Sequence, residues 1–421
     1  MYENSTQLTR MKYTVKNRFL KYVQIDTQAN PYSETAPSTA KQLDLTKILS
    51  DELKELNIEH EVSEQGYIYA TLPSNSNKSD IPSIFFCSHI DTAFDCSGTN
   101  VKPIVHENYQ GGDITLPDDS EQIISVEKFP ELKDKIGNDI ISASGLTLLG
   151  ADDKSGLACI MDAFYLLTQN PDIKHGDVKA LFTTDEEIGR GVKFVDLNKI
   201  NADFGYTLDS GNVGHFEYEN FSANSAVLKI KGVSAHPGYA KGKMEHASRI
   251  AADILSKLPK DHLSPESTEG KEGFIHPNKI EGMLEEASIE FIIRSFETEK
   301  LEDYQNIIVD TTKEVLKNYP GSSYTFTSAL QYRNMKDVID KFPHIVDIAK
   351  RGMENAGVTP HIGSIRGGTD GAVLSHKGLP CPNLFSGQHG IHSKLEWTTV
   401  QDMQKAVDTV LEIIKIVEKD A

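Results

Sequence analysis

The sequence predicts an α/β protein in which a smaller α+β domain interrupts a larger domain. Three observations favour this fold. Apolar runs of strand length alternate with helical patterns through the first half of the chain, as in the βα units of a largely parallel sheet. From about Phe221 the pattern follows a β-α-β-β-α-β order, typical of a compact antiparallel domain, and α/β character then returns. We therefore predict a discontinuous larger domain over 1–220 and 332–421 and an inserted domain over 221–331.

The elements of the larger domain are predicted from the spacing of apolar residues. The run 84–87 is continuously apolar, which is typical of a strand covered on both faces, and 178–182 and 204–208 are similar. Apolar residues at helical spacing predict a helix from about Lys154 to Gln169. Further patterns predict a helix over 342–356, a strand over 382–385 and a terminal helix over 399–418.

The inserted domain has its own alternation of strands and amphipathic helices. Period-two patterns predict strands, and helical spacing predicts the segments between them. In chain order, the predicted elements are a strand over 224–233, a helix over 244–258, strands over 279–283 and 288–295, a helix over 299–319 and a strand over 324–330.

Composition and charge narrow the classes of protein. The 421 residues include 43 Lys plus Arg and 62 Asp plus Glu, for a formal net charge of −19. Nucleic acids and anionic membranes attract basic surfaces, so neither partner is expected. No apolar run is long enough to span a bilayer, and the first ten residues form a polar extension rather than a secretory signal. Four cysteines without CxxC spacing favour reduced thiols and a cytoplasmic location.

Histidines and acidic residues follow the predicted strands of the larger domain. In open α/β sheets, ligands bind where the loops at the carboxyl ends of the strands meet. Zinc accepts imidazole and carboxylate ligands, and two histidines with three carboxylates could hold two zinc ions that share a bridging carboxylate. The candidate residues are His89, Asp91, Asp152, Glu186, Glu187, Asp209 and His392.

Two short spacings among these residues suggest particular roles. At the end of a strand, His89 and Asp91 point to the same side. Asp91 could then accept a hydrogen bond from the second ring nitrogen of His89 and fix its tautomer. The adjacent side chains of Glu186 and Glu187 diverge, so one could bind a metal ion while the other takes a proton from the attacking water.

Each of these patterns also has a simpler interpretation. A single His-x-Asp occurs in surface loops, and the pair Asp152-Asp153 could stabilise the N-terminus of a helix. Residues 185–187 could be a solvated charge run, and Asp209 could mark a turn. If all of these simpler interpretations were right, four loops at strand ends would carry residues able to bind a metal ion only by coincidence.

Longer motifs allow a comparison with known families. They are SHIDT (88–92), TLLGADDK (147–154), DEEIG (185–189), EYENF (217–221), HPGYAKG (236–242), IIRSF (292–296), RGGTDG (366–371) and GLPCPN (378–383). In these motifs, along nearly the whole chain, the sequence resembles the peptidase T family of tripeptide aminopeptidases. That family belongs to the larger group of co-catalytic zinc peptidases that includes glutamate carboxypeptidase and aminoacylase.

The resemblance implies a zinc-peptidase α/β catalytic domain with an inserted α+β lid. It implies that His89, Asp152 and Asp209 hold one zinc ion. Asp152, Glu187 and His392 would hold the other, so that Asp152 bridges the pair. The implied reaction is hydrolysis of the N-terminal peptide bond of a tripeptide, with a bridging water as nucleophile.

The resemblance also implies roles outside the ligand set. Glu186 would be the general base and acid, and Asp91 would orient the histidine of its motif. His236 would reach the substrate carbonyl, in some relatives across a homodimer, although it could instead be a structural residue of its turn. Arg294 and Arg366 could clamp a peptide carboxylate, since guanidinium groups match that geometry. Surface salt bridges are the alternative for both.

Two choices remain open to test. His389 competes with His392 as a ligand, and we choose His392 because its distance to Lys394 and Glu396 fits the family pattern better. The rival functions are hydrolysis of a dipeptide or an acylated amino acid on the same machinery, and binding without catalysis. The intact Glu186 disfavours the last of these.

Overall fold

The structure is a computed structural model that describes residues 12–421. The polar extension predicted for the first ten residues lies outside this range. The chain forms two compact units, and the second is built from two separate segments. The first unit contains the described residues up to Tyr218, Asp337–Gly363 and Thr369–Ala421, and the second contains Glu219–Lys336 and Ser364–Gly368.

The secondary structure of the described chain follows the predicted alternation. The helices are α1 (Val15–Tyr22), α2 (Gln42–Glu55), α3 (Ala151–Gln169), α4 (Leu197–Ile200), α5 (Ala247–Lys257), α6 (Lys300–Leu316), α7 (Lys336–Ile339), α8 (Pro343–Asn355), α9 (Asp370–His376) and α10 (Val400–Asp420). The strands are β1 (Glu59–Val62), β2 (Ile68–Leu72), β3 (Ile84–His89), β4 (Ile104–His106), β5 (Ile114–Thr115), β6 (Ile123–Ile124), β7 (Ile140–Ser142), β8 (Val178–Thr183), β9 (Phe204–Ser210), β10 (His215–Asn220), β11 (Ser222–Lys231), β12 (Phe274–Gly282), β13 (Glu286–Ser295), β14 (Ser323–Tyr332), β15 (His361–Ile365), β16 (Asn383–Phe385) and β17 (Trp397–Thr399).

The main sheet has the strand order β1-β2-β8-β3-β9-β16-β10-β15. Its central pairs β8–β3, β3–β9 and β9–β16 are parallel. The pairs β1–β2, β2–β8 and β16–β10 are antiparallel. The prediction of a largely parallel sheet is therefore right for the centre and wrong for the flanks. On one flank, β1 and β2 are joined by a short turn, and only antiparallel neighbours can be joined in this way.

Helices and loops cover both faces of the central strands. Helix α3 packs against β3 and β9, and α10 packs against α3 and α8. Phe86 belongs to this core, whereas Phe85 and Cys87 belong to a cluster on the opposite face with Leu374. Burial on both faces explains why β3 is a continuous apolar run. The regular part of α3 begins after Asp153, as predicted, because the backbone before that point is not helical.

The second unit confirms the predicted β-α-β-β-α-β order, from β11 through α5, β12, β13 and α6 to β14. Its sheet has the order β12-β13-β11-β14, and every pair is antiparallel. Leu228 of β11 and Ile289 of β13 pack with Ile250 of α5 and Ile308 of α6, so the helices bury one sheet face. Within residues 12–421, no helix has the length and apolar character needed to span a bilayer.

Candidate metal centre

The central parallel strands deliver candidate ligands to one edge of the main sheet. Strand β3 ends at His89, which is paired in register with Thr183 at the end of β8. Glu187 follows β8, and Asp209 lies near the end of β9. Because these strands are parallel neighbours, their carboxyl ends meet, as expected for a ligand site in an open α/β sheet.

His89 faces the carboxylates with one ring nitrogen. Its Nε2 lies 3.0 Å from Oδ1 of Asp152 and 4.0 Å from Oδ1 of Asp209. Its Nδ1 lies 3.0 Å from the backbone carbonyl oxygen of Asp91. An Nδ1–H that donates to this carbonyl leaves Nε2 as the nitrogen that can bind a metal ion.

His392 makes the corresponding contacts on the other side of Asp152. Its Nε2 lies 3.3 Å from Oδ2 of Asp152 and 3.0 Å from Oε2 of Glu187. Its Nδ1 lies 3.2 Å from Oδ2 of Asp95. His389 lies elsewhere, because its ring stacks on Trp397 with 3.8 Å between ring centroids. The structure thus places His392, rather than the competing histidine, beside the acidic cluster.

Asp152 is the centre of the arrangement because its two carboxylate oxygens face different histidines. Oδ1 is near His89 and Oδ2 is near His392. Burial alone would raise the pKa of Asp152, but hydrogen bonds from His392 and His89 hold it well below its usual value. Hydrogen bonds to Asp152 and Glu187 in turn raise the pKa of His392 to about 11. The carboxylates of Asp152 and Glu187 therefore strongly stabilise a positive charge placed between them.

Asp153 is the neighbour that competes with Asp152. It is buried, and Oδ2 accepts hydrogen bonds from Ser88 Oγ at 2.5 Å and from the His89 backbone N–H at 3.3 Å. Its carboxylate also lies near His89 and Asp209, with ligand atoms within 4.8 Å of one another. These hydrogen bonds engage the Asp153 carboxylate with residues of β3. Nε2 of His392 faces Asp152 instead.

Asp91 differs in part from its predicted role. Its carboxylate Oδ1 is 3.5 Å from Nδ1 of His89, farther than the backbone carbonyl. The same carboxylate accepts the backbone N–H groups of Glu186 at 3.0 Å and Glu187 at 3.1 Å. Asp91 therefore holds the backbone of the glutamate pair as well as facing the histidine. A strand-end spacing cannot indicate this, because β8 is distant from Asp91 in sequence.

The loop that carries the two glutamates is anchored from its other side. Asp185 accepts hydrogen bonds from the backbone N–H and hydroxyl of Ser38 and from the side-chain amide of Gln42. Burial raises the pKa of Glu186 well above its usual range, and it raises that of Glu187 to about 7. Asp185, which sequence reasoning treated only as part of a charge run, is thus buried and structural.

The donor set fits divalent metal ions of the zinc type. Imidazole nitrogens and carboxylate oxygens are zinc ligands, and the ligand atoms of His89, Asp152 and Glu187 lie within 4.8 Å of one another. Oε1 of Glu187 is buried and has no hydrogen-bond partner in the described chain. A buried carboxylate oxygen without a partner is costly, and a bound cation would satisfy it.

The three predicted substrate residues lie in the second unit. His236 Nδ1 accepts a hydrogen bond from the Gly238 N–H at 3.2 Å. Arg294 donates to the Ile293 carbonyl at 3.1 Å and lies over the Tyr332 ring. Their roles toward substrate stay predictions.

Arg366 is more firmly engaged than a surface ion pair would be. It donates to the backbone carbonyls of Gly270 at 2.7 Å and Glu272 at 3.1 Å. Its guanidinium lies over the rings of Phe221 and Phe274. These contacts give Arg366 a packing role within its own unit, and a substrate role stays a prediction.

Sequence reasoning gave no role at the site to three residues that contact the candidate ligands. Asp95 faces Nδ1 of His392, and the side-chain amide of Gln388 donates to Oδ1 of Asp209 at 3.1 Å. Glu396 accepts the backbone N–H of Asp152 at 2.9 Å. A polar residue a few positions from a ligand in sequence was the available signal for Asp95 and Gln388.

Comparisons with known proteins agree with this fold. The family model described as peptidase dimerisation domain matches residues 218–320. A protein named peptidase T from Bacillus pumilus (strain SAFR-032) is 45% identical over 412 residues, which cover 98% of this chain and 100% of that protein.

Two solved structures share the architecture along nearly the full length. The aminopeptidase PepT of Bacillus cereus ATCC 10987 has a TM-score of 0.74 and 26% identity, covering 96% of this chain and 98% of that one. A tripeptidase of Staphylococcus aureus subsp. aureus Mu50 has a TM-score of 0.76 and 25% identity, with the same coverage.

The α/β sheet with its candidate ligand cluster, and the match of the second α+β unit to a peptidase dimerisation domain, are features of a metal-binding peptidase. Within this class, the protein named peptidase T that is 45% identical over almost the whole length indicates the family. The chain belongs to the peptidase T family, the tripeptide aminopeptidases that its sequence motifs predicted.

Proposed function

We propose that this chain removes the N-terminal residue of tripeptides at a centre of two zinc ions. The observation that carries the proposal is the position of Asp152, whose two oxygens face His89 and His392 separately. A carboxylate placed in this way can bridge two metal ions, as peptidases of the two-metal type require.

The ligand assignment is the one that the family resemblance implies, and these contacts support it. His89, Asp152 and Asp209 would hold one ion, and Asp152, Glu187 and His392 would hold the other. Bound zinc ions would supply Lewis acidity, which makes a water molecule a stronger nucleophile and polarises the peptide carbonyl.

The protein groups would handle the proton. Glu186 would take the proton of the attacking water on its carboxylate and return it to the nitrogen of the departing amine. Asp91 supports this role, because it holds the backbone N–H of Glu186 at 3.0 Å. His236 would stabilise the oxyanion, and Arg294 and Arg366 would bind the substrate carboxylate.

The substrate class is tested by comparing Ala-Ala-Ala with Ala-Ala, N-acetyl-Ala-Ala-Ala and N-acetyl-alanine. We expect zinc-loaded protein to convert Ala-Ala-Ala into alanine and Ala-Ala, and to lose this activity in a chelator and regain it with Zn²⁺. The blocked tripeptide serves as the control for a free N-terminus. Faster hydrolysis of Ala-Ala or N-acetyl-alanine would reject the tripeptide proposal, and activity unaffected by the chelator would reject the metal.

The contact between Asp95 and His392 leads to a further prediction. A carboxylate that accepts from the second nitrogen of a ligating histidine orients the ring and raises its basicity. Asp95→Asn should weaken zinc binding by about tenfold, near the lower end of such effects because the pair is half-exposed. Titration with a chelating dye measures the affinity, and a value equal to that of wild type would contradict this role.

We also propose a homodimer in the cytoplasm. The match to the peptidase dimerisation domain over 218–320 supports the dimer, and light scattering of the purified chain tests it. The four cysteines are free thiols, which supports a reducing compartment.

A further inference from the structure

Glu396 forms a cluster of hydrogen bonds at the start of helix α3. The residue is only 1% exposed. Its Oε2 accepts the backbone N–H groups of Leu149 at 2.8 Å and Gly150 at 2.7 Å, and Oε1 accepts that of Asp152 at 2.9 Å. One carboxylate from the C-terminal part of the chain therefore accepts the N–H groups of Leu149, Gly150 and Asp152. Asp152 is the central candidate ligand.

These contacts satisfy groups that the local sequence cannot. The backbone before the regular part of α3 is not helical, so its N–H groups cannot rely on helical partners, and a buried N–H group without an acceptor is costly. A carboxylate is a strong acceptor for such N–H groups. The buried charge of Glu396 in turn needs these donors, because a buried carboxylate without partners is costly.

Glu396 is also tied to the loop that carries His392, which lies four residues earlier. In the turn between them, the Ser393 hydroxyl donates to the Gly390 carbonyl at 2.6 Å and accepts the Leu395 N–H at 3.2 Å. The Glu396 N–H donates to the Ser393 carbonyl at 3.3 Å. Glu396 thus joins the backbone of Asp152 to a short, hydrogen-bonded turn beside His392.

We propose that Glu396 is a positioning residue that pre-forms the metal centre by fixing the backbone of Asp152 relative to His392. This inference rests on the proposed two-metal function. Glu396 does not ligate the metal ions in this account. Its loss should weaken metal binding while leaving the chemistry of the metal-saturated enzyme nearly intact.

The test is Glu396→Gln in the full chain, with Zn²⁺ as the probe. The amide has the same shape, but its NH₂ group must face at least one of the three N–H donors, so one acceptor and the charge are lost. We expect zinc affinity to fall by about 10–100-fold, as for other groups that orient metal ligands. At saturating Zn²⁺, kcat for a tripeptide should stay within a few-fold of wild type.

Asp162→Asn is the matched control. Asp162 lies on the same helix, is fully buried, and accepts the Thr14 backbone N–H at 2.8 Å, so it also joins α3 to a distant segment. It has no contact with the candidate ligands among the hydrogen bonds of the described chain. This variant should lower the melting temperature without changing zinc affinity.

The outcomes separate the inference from the proposed function. Wild-type zinc affinity in a folded Glu396→Gln would overturn the positioning role, and so would activity that stays lost at saturating Zn²⁺. Wild-type protein that binds fewer than two zinc ions would instead overturn the two-metal proposal. If Glu396→Gln does not fold, Glu396→Asp serves, because it keeps the charge but is one methylene shorter. It should lose affinity to an intermediate degree, and wild-type affinity would again reject the inference.

Discussion

Glu186→Gln is expected to lower kcat for a tripeptide by about 10²–10⁴-fold, the usual contribution of a general base, with both zinc ions still bound. The substitution keeps the shape of the side chain and removes its capacity to accept a proton. The backbone of Glu186 is held by its N–H bond to Asp91, so the loop should keep its conformation. Steady-state kinetics at saturating Zn²⁺, together with the zinc content of the purified variant, measure both parts of the prediction.

The adjacent Glu187→Gln is the control for this experiment. Glu187 faces Nε2 of His392 at 3.0 Å, so its substitution should reduce zinc content as well as activity. A Glu186→Gln variant that keeps full zinc occupancy and near-wild-type turnover would contradict the role of general base. Loss of zinc from Glu186→Gln would mean that its side chain is a ligand.

Asp152→Asn should weaken the binding of both metal ions rather than one. Each oxygen of this carboxylate faces a different histidine, and an amide offers only one good acceptor for a cation. We expect the affinity to fall by more than about 100-fold, beyond the range for residues that only orient a ligand. Zinc content after gel filtration and chelator competition measure the loss.

Two further variants locate the bridging carboxylate. Asp209→Asn should weaken one zinc ion and spare the other, because Asp209 faces only His89 among the histidines. Asp153→Asn should retain more zinc than Asp152→Asn, because the Asp153 carboxylate is engaged by Ser88 and the backbone of His89. The reverse order of zinc retention would make Asp153 the bridge.

The residues of the candidate site could be predicted where chain direction alone determines their position. His89, Glu187 and Asp209 lie at or just after the carboxyl ends of neighbouring parallel strands, so their meeting at one edge follows from the fold class. The apolar run of β3 likewise indicates a strand buried on both faces. The antiparallel flanks of the sheet escaped prediction, because short strands such as β1 have partly exposed, mixed sequences.

The supporting contacts could not be predicted, because they join segments far apart in sequence. Glu396 and Asp152 are separated by 244 residues, and Asp185 and Ser38 by 147. No periodic pattern or motif specifies which backbone N–H a buried carboxylate will reach, since this depends on how α3 and the C-terminal loop pack. Asp91 shows the same limit, because its contacts with Glu186 and Glu187 depend on the pairing of β3 with β8.

A crystal structure of the zinc-loaded protein with anomalous data at the zinc edge is the most direct test. Two anomalous peaks should lie on either side of the Asp152 carboxylate, one beside His89 and Asp209 and the other beside Glu187 and His392. A single peak, or peaks remote from these side chains, would contradict the two-metal centre.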